Sequence, residues 1–318
     1  MPTVVLSRAE WLDREASHHR QVDELLAGHR ERASRGRPHP VEDFLFTYYS
    51  YRPARLRRWY PGAGVALLEA SERLAWRDHV LQDGAVTLDL AGFRARRGSA
   101  VRHVVDLLAA TANRPAQLSC FGLHEWAMVY RQDAEQVRHA ERPLRLGAAG
   151  TDAVVEAQRI RCTHHDAFRF FTAPARPLNL LQPARSDQVA LEQPGCLHAT
   201  MDLYKWAYKL APALSSELTL DCFRLARRTR ELDMRASPYD LSDLGYQPVR
   251  IETVDGRAEY VQQQRQIAAE GQELRARLLT AARALLEPGE EGPGEGGPGE
   301  GGPGAMPLHD LQFGPEMP

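Results

Sequence analysis

The chain has 318 residues, a mass of 35.7 kDa and a mean hydropathy of -0.45. Its 43% hydrophobic and 26% charged residues are ordinary for a globular protein, and no apolar run approaches the ~20 residues that a membrane-spanning helix needs. A helical membrane protein, a small disulfide scaffold and a fully disordered chain are thereby excluded. The net charge of -2 is split unevenly. From Pro288 onward there are six acids and no Lys or Arg, which leaves residues 1–287 slightly basic and compatible with an anionic ligand. Of 40 basic residues only Lys205 and Lys209 are lysines.

In chain order, residues 7–33 read as helix, with Ser7 and Glu10 at capping-box spacing. Residues 39–59 read as helix interrupted near Pro53. Residues 64–70 and 85–90 have strand patterns. Helices are expected over 99–113, 122–132 and 165–171, and a strand over 153–162. Residues 198–210 read as a helix stopped by Pro212, and 215–236 as one capped by Ser215. A strand over 248–254 and a closing helix over 257–286 complete the reading. The regular βαβ alternation of a doubly wound sheet is missing. The expected class is mainly α with a small β element (α+β): one helical domain with a few short strands over 1–286. Residues 287–318 form an acidic Gly/Pro/Glu-rich tail, whose period of about five excludes collagen and suggests disorder. The opening MPTVVLSRAEW lacks a basic stretch followed by an apolar one, so a cytoplasmic location with reduced thiols at Cys120, Cys162, Cys196 and Cys222 is expected.

Three segments share a texture of Cys, His and acid among aromatics: CFGLHEWAMVY (120–130), CTHHDAFRFF (162–171) and CLHATMDLYKW (196–206). A fourth, HPVEDFLFTYY (39–49), lacks the Cys. Ionisable groups in apolar helices are costly to bury unless paired. Singly, each His reads as a helix cap or a satisfied core residue. Four together suggest convergence on a polar pocket. His198, Asp202, Lys205 and Lys209 share one face of the 198–210 helix. A lysine there is either part of a salt-bridged surface stripe or, with a lowered pKa, a nucleophile. His124, His164 and His198 with nearby carboxylates are the rival metal set for iron, haem or zinc, although no HExxH or CxxC spacing occurs. Arg52, Arg55 and Arg58 lie among aromatic residues and suit phosphate contact, or equally a solvated helix end. WYPGAG (59–64) is similar to the turn of helix–hairpin–helix DNA-binding modules, but GVALLEA after it reads as a strand.

HPVEDFLFTYY, CFGLHEWAMVYR, RCTHHDAFRFF, QPGCLHATMDLYKWAYKL and RELDMRASPYDL together resemble a bacterial, chiefly actinobacterial, family commonly labelled 3-methyladenine DNA glycosylase. The resemblance spans roughly residues 7–286. It implies a hydrolase that cleaves the N-glycosidic bond of alkylated purines in double-stranded DNA, with no required cofactor. On this reading the catalytic candidates are Asp202, Glu125, His198, Lys205 and Lys209. Trp126, Tyr204 and Trp206 would stack on the extruded base, and Arg52, Arg55 and Arg58 would hold phosphates. The alternative is a metal- or haem-dependent enzyme on a small-molecule substrate through His124, His164 and His198, or a noncatalytic ligand-binding protein.

Overall fold

The computed structural model describes residues 4–132 and 141–286. The expected tail lies outside the described residues. A short strand β1 (Val4–Leu6) leads into α1 (Arg8–Leu25) and α2 (Ala27–Ser34). Ser7 caps α1 with the reciprocal Glu10 contact that the spacing predicted. The 39–59 region contains two five-residue helices, α3 (Phe44–Tyr48) and α4 (Pro53–Arg57), and Pro53 opens the second. A small sheet follows, of β2 (Val65–Leu68), β3 (His79–Gln82) and β4 (Ala85–Leu88). Then come α5 (Leu90–Ala112), α6 (Leu123–Ala127), α7 (Gly147–Ala157), α8 (His165–Phe168) and α9 (Gln188–Leu191). Three long helices close the described chain: α10 (Leu197–Lys209), α11 (Ser216–Arg235) and α12 (Val254–Ala284). The class is mainly α with a small sheet.

The sheet order is β1-β2-β4-β3, with β1 parallel to β2 and the other pairs antiparallel. β3 and β4 form a hairpin over Asp83 and Gly84, both at positive φ, as a two-residue mirror-image turn requires. Trp11, Trp59, Leu67 and Val86 form the core beneath it.

Two expected strands are corrected. Residues 153–162 do not form a strand: α7 occupies Gly147–Ala157, and its buried Thr151 and Val155 stand one helical turn apart. Residues 248–254 do not pair with any strand either. Val249 and Ile251 are buried as the alternation suggests, but the Val249 amide donates to the Arg235 carbonyl at 2.8 Å and a turn follows.

The centre of the molecule is α10. Every residue from Leu197 to Ala207 is buried, whatever face it occupies. Met201, Leu203, Tyr204 and Ala207 share a core with Phe223 of α11, Leu278 of α12 and Leu107 of α5. Gly271 lets α12 approach closely, since a Cβ there would meet Thr200 Cγ2 at 3.1 Å. Ser215 caps α11 through the Leu218 amide. The α10 face read as a surface or pocket stripe is therefore interior throughout Asp202 and Lys205.

Candidate metal centre

The fold brings three of the four singled-out segments around the first two turns of α10. α6 carries His124 and Glu125, His164 precedes α8, Asp166 lies on α8, and His198, Asp202 and Lys205 lie on α10. The fourth segment contributes an aromatic: the Tyr49 hydroxyl donates to Asp202 Oδ1 at 2.8 Å. His39, Glu42 and Asp43 stand apart from this cluster in other contacts, with Asp43 bound to His29 and Arg32 and Glu42 to Arg227. The His198 ring centroid is 4.3 Å from His124 and 5.3 Å from His164, so the three histidines of the metal alternative form one row.

Two residue triads flank that row, each with its ligand atoms within 4.8 Å of one another: His124, His198 and Asp233, and His164, Glu192 and Asp202. All six residues are buried. In the first, His124 Nε2 and Asp233 Oδ1 are 3.1 Å apart, yet neither meets hydrogen-bond geometry with any group. Asp233 Oδ2 is held separately by Arg230 Nη1 at 2.8 Å, and the same nitrogen donates to Glu125 at 2.7 Å. The guanidinium thus fixes the carboxylate and leaves Oδ1 aimed at the imidazoles, the outer-sphere support typical of a metal-binding carboxylate. In the second triad, His164 Nε2 lies 3.2 Å from Glu192 and 3.4 Å from Asp202, again without an aligned bond. There Asp202 Oδ2 already accepts from Lys205 Nζ at 2.7 Å, and Gln188 donates to Glu192 at 2.6 Å.

The charges do not balance. Of Glu125, Asp166, Glu192, Asp202 and Asp233, four are met directly by three permanent cations, Arg169, Lys205 and Arg230, while Glu192 faces His164. A formal excess of two negative charges in a largely buried site is matched by protons or cations. Burial opposes charge on His164, but Glu192 and Asp202 lift its pKa to about 10. Burial likewise opposes charge on His124, and Asp233 carries it above the usual range. His198 goes the other way: burial and then the His124 charge hold it neutral. Asp202 and Asp233 stay ionised against burial because Lys205 and His124 lie beside them. A metal displaces protons from such groups and answers the same excess.

The two lysines of the nucleophile expectation are shifted in opposite directions. Burial opposes the charge of Lys205, but Asp202 and Asp166 raise its pKa above the ordinary lysine value, so its ammonium is a fixed counter-ion. Lys209, half-buried at the far end of α10, is lowered by burial, Lys205 and Arg97. Trp126, Tyr204 and Trp206 are core residues, 0%, 0% and 4% exposed, and the Trp126 indole donates to the Ala236 carbonyl. They present no open face to a nucleobase. The WYPGAG turn packs on the start of α11, with the Ala63 amide bonded to the Ala213 carbonyl at 2.9 Å. That amide is thus engaged within the protein.

Two narrow cavities meet at His198. One is lined by Cys120, Cys162, Cys196, His124, Tyr260 and Gln264 among others, so the three repeated segments place their thiols around one space. Burial raises the Cys162 and Cys196 pKa values and keeps both as thiols. The other is lined by Phe44, Tyr48, Glu125, Met128, Asp166 and Arg230. Each offers about 10 Å³ to the centre of a water-sized sphere, roughly the space of one water. Sequence reasoning missed Glu192, Arg230 and Asp233. Arg230 and Asp233 lie in RELDMRASPYDL, one of the strings that carry the family resemblance, where no role was assigned to them. Set against known proteins, the chain matches no family model, no curated protein and no solved structure.

Proposed function

We propose that the protein is a metal-dependent enzyme acting on a small molecule, with the metal held by His124 Nε2, His198 and Asp233 Oδ1. The observation that carries this reading is the convergence of three buried ligand atoms, from His124, His198 and Asp233, within 4.8 Å of one another. Two imidazoles and one carboxylate are the donor set of non-haem iron(II) sites with positions open to small ligands. Iron(II) is therefore the assignment, and such a metal activates water or dioxygen. The two cavities at His198 each have room for about one water. Haem is disfavoured, because neither cavity has room for a macrocycle. The triad at His164 is the weaker metal set, since Lys205 already satisfies Asp202 Oδ2.

The test is metal analysis and absorption spectroscopy of protein purified without chelators. One iron per chain, reduced at least tenfold in His124→Ala and Asp233→Ala variants that keep their helical signal, is the expected result. Metal-free protein that also fails to take up iron(II), manganese(II) or zinc(II) refutes the proposal. The DNA glycosylase reading rests on the family resemblance. Its candidate carboxylates Asp202 and Glu125 are each tied to a buried cation, and its direct test is release of 3-methyladenine from alkylated duplex DNA.

A further inference from the structure

Away from the histidine row, at the other end of α10, lies a groove of about 390 Å³. This is within the range of small-ligand sites. Its lining comes from four parts of the chain: Tyr51, Arg55 and Arg58 around α4, Tyr60 after it, Trp76 and Arg77 before β3, Arg96 and Arg97 on α5, and Tyr208 to Pro212 at the end of α10. Tyr208 and His198 are ten residues apart on one helix, so the groove is roughly 15 Å along the axis from the metal-ligating candidates.

Its charge pattern is unlike the rest of the molecule. Elsewhere many arginines meet carboxylates: Arg57 meets Asp23, Arg73 meets Glu15, Arg145 meets Glu252 and Arg228 meets Glu270. In the groove five arginines share one acid, Asp78, which pairs with Arg96 and lies 3.8 Å from Arg77. Arg55 and Arg58 have no carboxylate partner among the described residues. Arg97 donates to the Lys209 carbonyl at 2.6 Å, while its buried Nε has no partner. An uncompensated cluster of guanidiniums facing a concave space is the chemistry of phosphate recognition.

The aromatic side is equally specific. Trp76 packs edge-on against Tyr60 with centroids 5.4 Å apart, and the guanidiniums of buried Arg73 and exposed Arg58 lie 4.1 and 5.2 Å from its ring. The other four tryptophans, Trp11, Trp59, Trp126 and Trp206, are buried, whereas Trp76 is partly exposed at the groove. Aromatic side chains (Tyr51, Tyr60, Trp76, Tyr208) and guanidiniums thus line one small volume, where a planar ring and a phosphate would be held side by side. We infer that this groove binds a small phosphorylated ligand with a planar ring, of the nucleoside monophosphate class. Two of the three arginines singled out in the sequence, Arg55 and Arg58, serve this site. Arg52 is the exposed N-cap of α4 and does not line it.

The experiment is isothermal titration of the full chain with 5′-AMP, adenosine, inorganic phosphate and a 20-base-pair duplex, repeated at low and high salt. The expected order is 5′-AMP tighter than phosphate and adenosine by at least tenfold, weakening as salt rises. Arg58→Glu should lose at least tenfold in 5′-AMP affinity. Arg265→Glu, the same charge change at an exposed position of α12 outside the groove, should lose none. Trp76→Ala should reduce 5′-AMP to the level of phosphate, and quenching of Trp76 fluorescence should track the calorimetric isotherm. No 5′-AMP binding at millimolar concentration overturns the inference, as does an equal effect of the two charge reversals. Tighter binding of duplex than of 5′-AMP through Arg58 overturns the small-ligand assignment in favour of nucleic acid.

Discussion

Replacing Arg230 with Met is the most demanding test of the buried charge network. The guanidinium is 1% exposed and holds both Glu125 and Asp233. Methionine fills much of the same space beside Phe44, so the change removes charge more than volume. Two ionised carboxylates are then left in the interior with no permanent cation in direct contact. Breaking a buried ion pair from one side costs about 3–5 kcal/mol. At roughly 2–4 °C per kcal/mol for a chain of this size, the melting temperature should fall by roughly 6–20 °C. Calorimetry and circular dichroism measure it. Pairing the change with Glu125→Gln sharpens the test. The Glu125–Arg230 contact is 2.7 Å, so the double variant should lose less than the sum of the singles, with a coupling of about 1 kcal/mol or more. A shift under about 2 °C, or strict additivity, refutes the view that Arg230 holds these acids in place.

Lys205→Met should destabilise by about 3–5 kcal/mol in urea unfolding, because Asp202 loses its counter-ion inside the core; borohydride treatment of the native protein with aldehyde substrates should leave Lys205 unmodified. Ser215→Ala removes the α11 cap and should cost about 1 kcal/mol with an unchanged denaturant slope. Glu42 gives the acid-limb prediction. Burial opposes its charge, but Arg227 and Tyr246 outweigh burial and lower its pKa. A carboxyl depressed in the fold contributes stability above its unfolded value of about 4.5, and that contribution is lost as pH falls through the lower folded value. Glu42→Gln should therefore be less stable than the parent at pH 7, with the difference shrinking as pH falls below about 4.5 in pH-resolved thermal melts.

The helix boundaries were readable where a side chain makes the boundary. Ser7, Ser215 and Pro53 act locally, and local chemistry is what a sequence displays. Strand β3 was also within reach: Asp83-Gly84 followed by AVTL is a hairpin signal, and only HVLQ before it went unread. Residues 153–162 misled because the pair Val154-Val155 favours a strand locally, while burial of Thr151 and Val155 one turn apart favours helix. Residues 248–254 alternate correctly, but pairing needs a neighbour that no pattern in the segment can announce. For the site, ionisable groups among aromatics pointed to His124, His164, His198, Asp202 and Glu125. Asp233 and Arg230 escaped because a charged helix looks alike whether its charges face water or one another. For Lys205 the sequence displays Asp202 on the same helix but not Asp166, which reaches the ammonium from another segment at 3.0 Å.

The central position of α10 has a consequence for synthesis. Its covering partners include α12, which ends 75 residues later at Ala284. At roughly 5–20 residues per second, translation leaves α10 for about 4 to 15 s with Met201, Leu203 and Tyr204 lacking part of their final shelter. During that interval His198 and Asp202 are also open to the solvent, and the α5 face that meets α12 waits longer still. A nascent chain in this state offers a helix that the finished fold buries on every face to any holdase near the exit tunnel. Ribosome-stalled chains truncated before residue 254 should therefore be far more sensitive to protease within 197–209 than chains stalled after 284 has emerged.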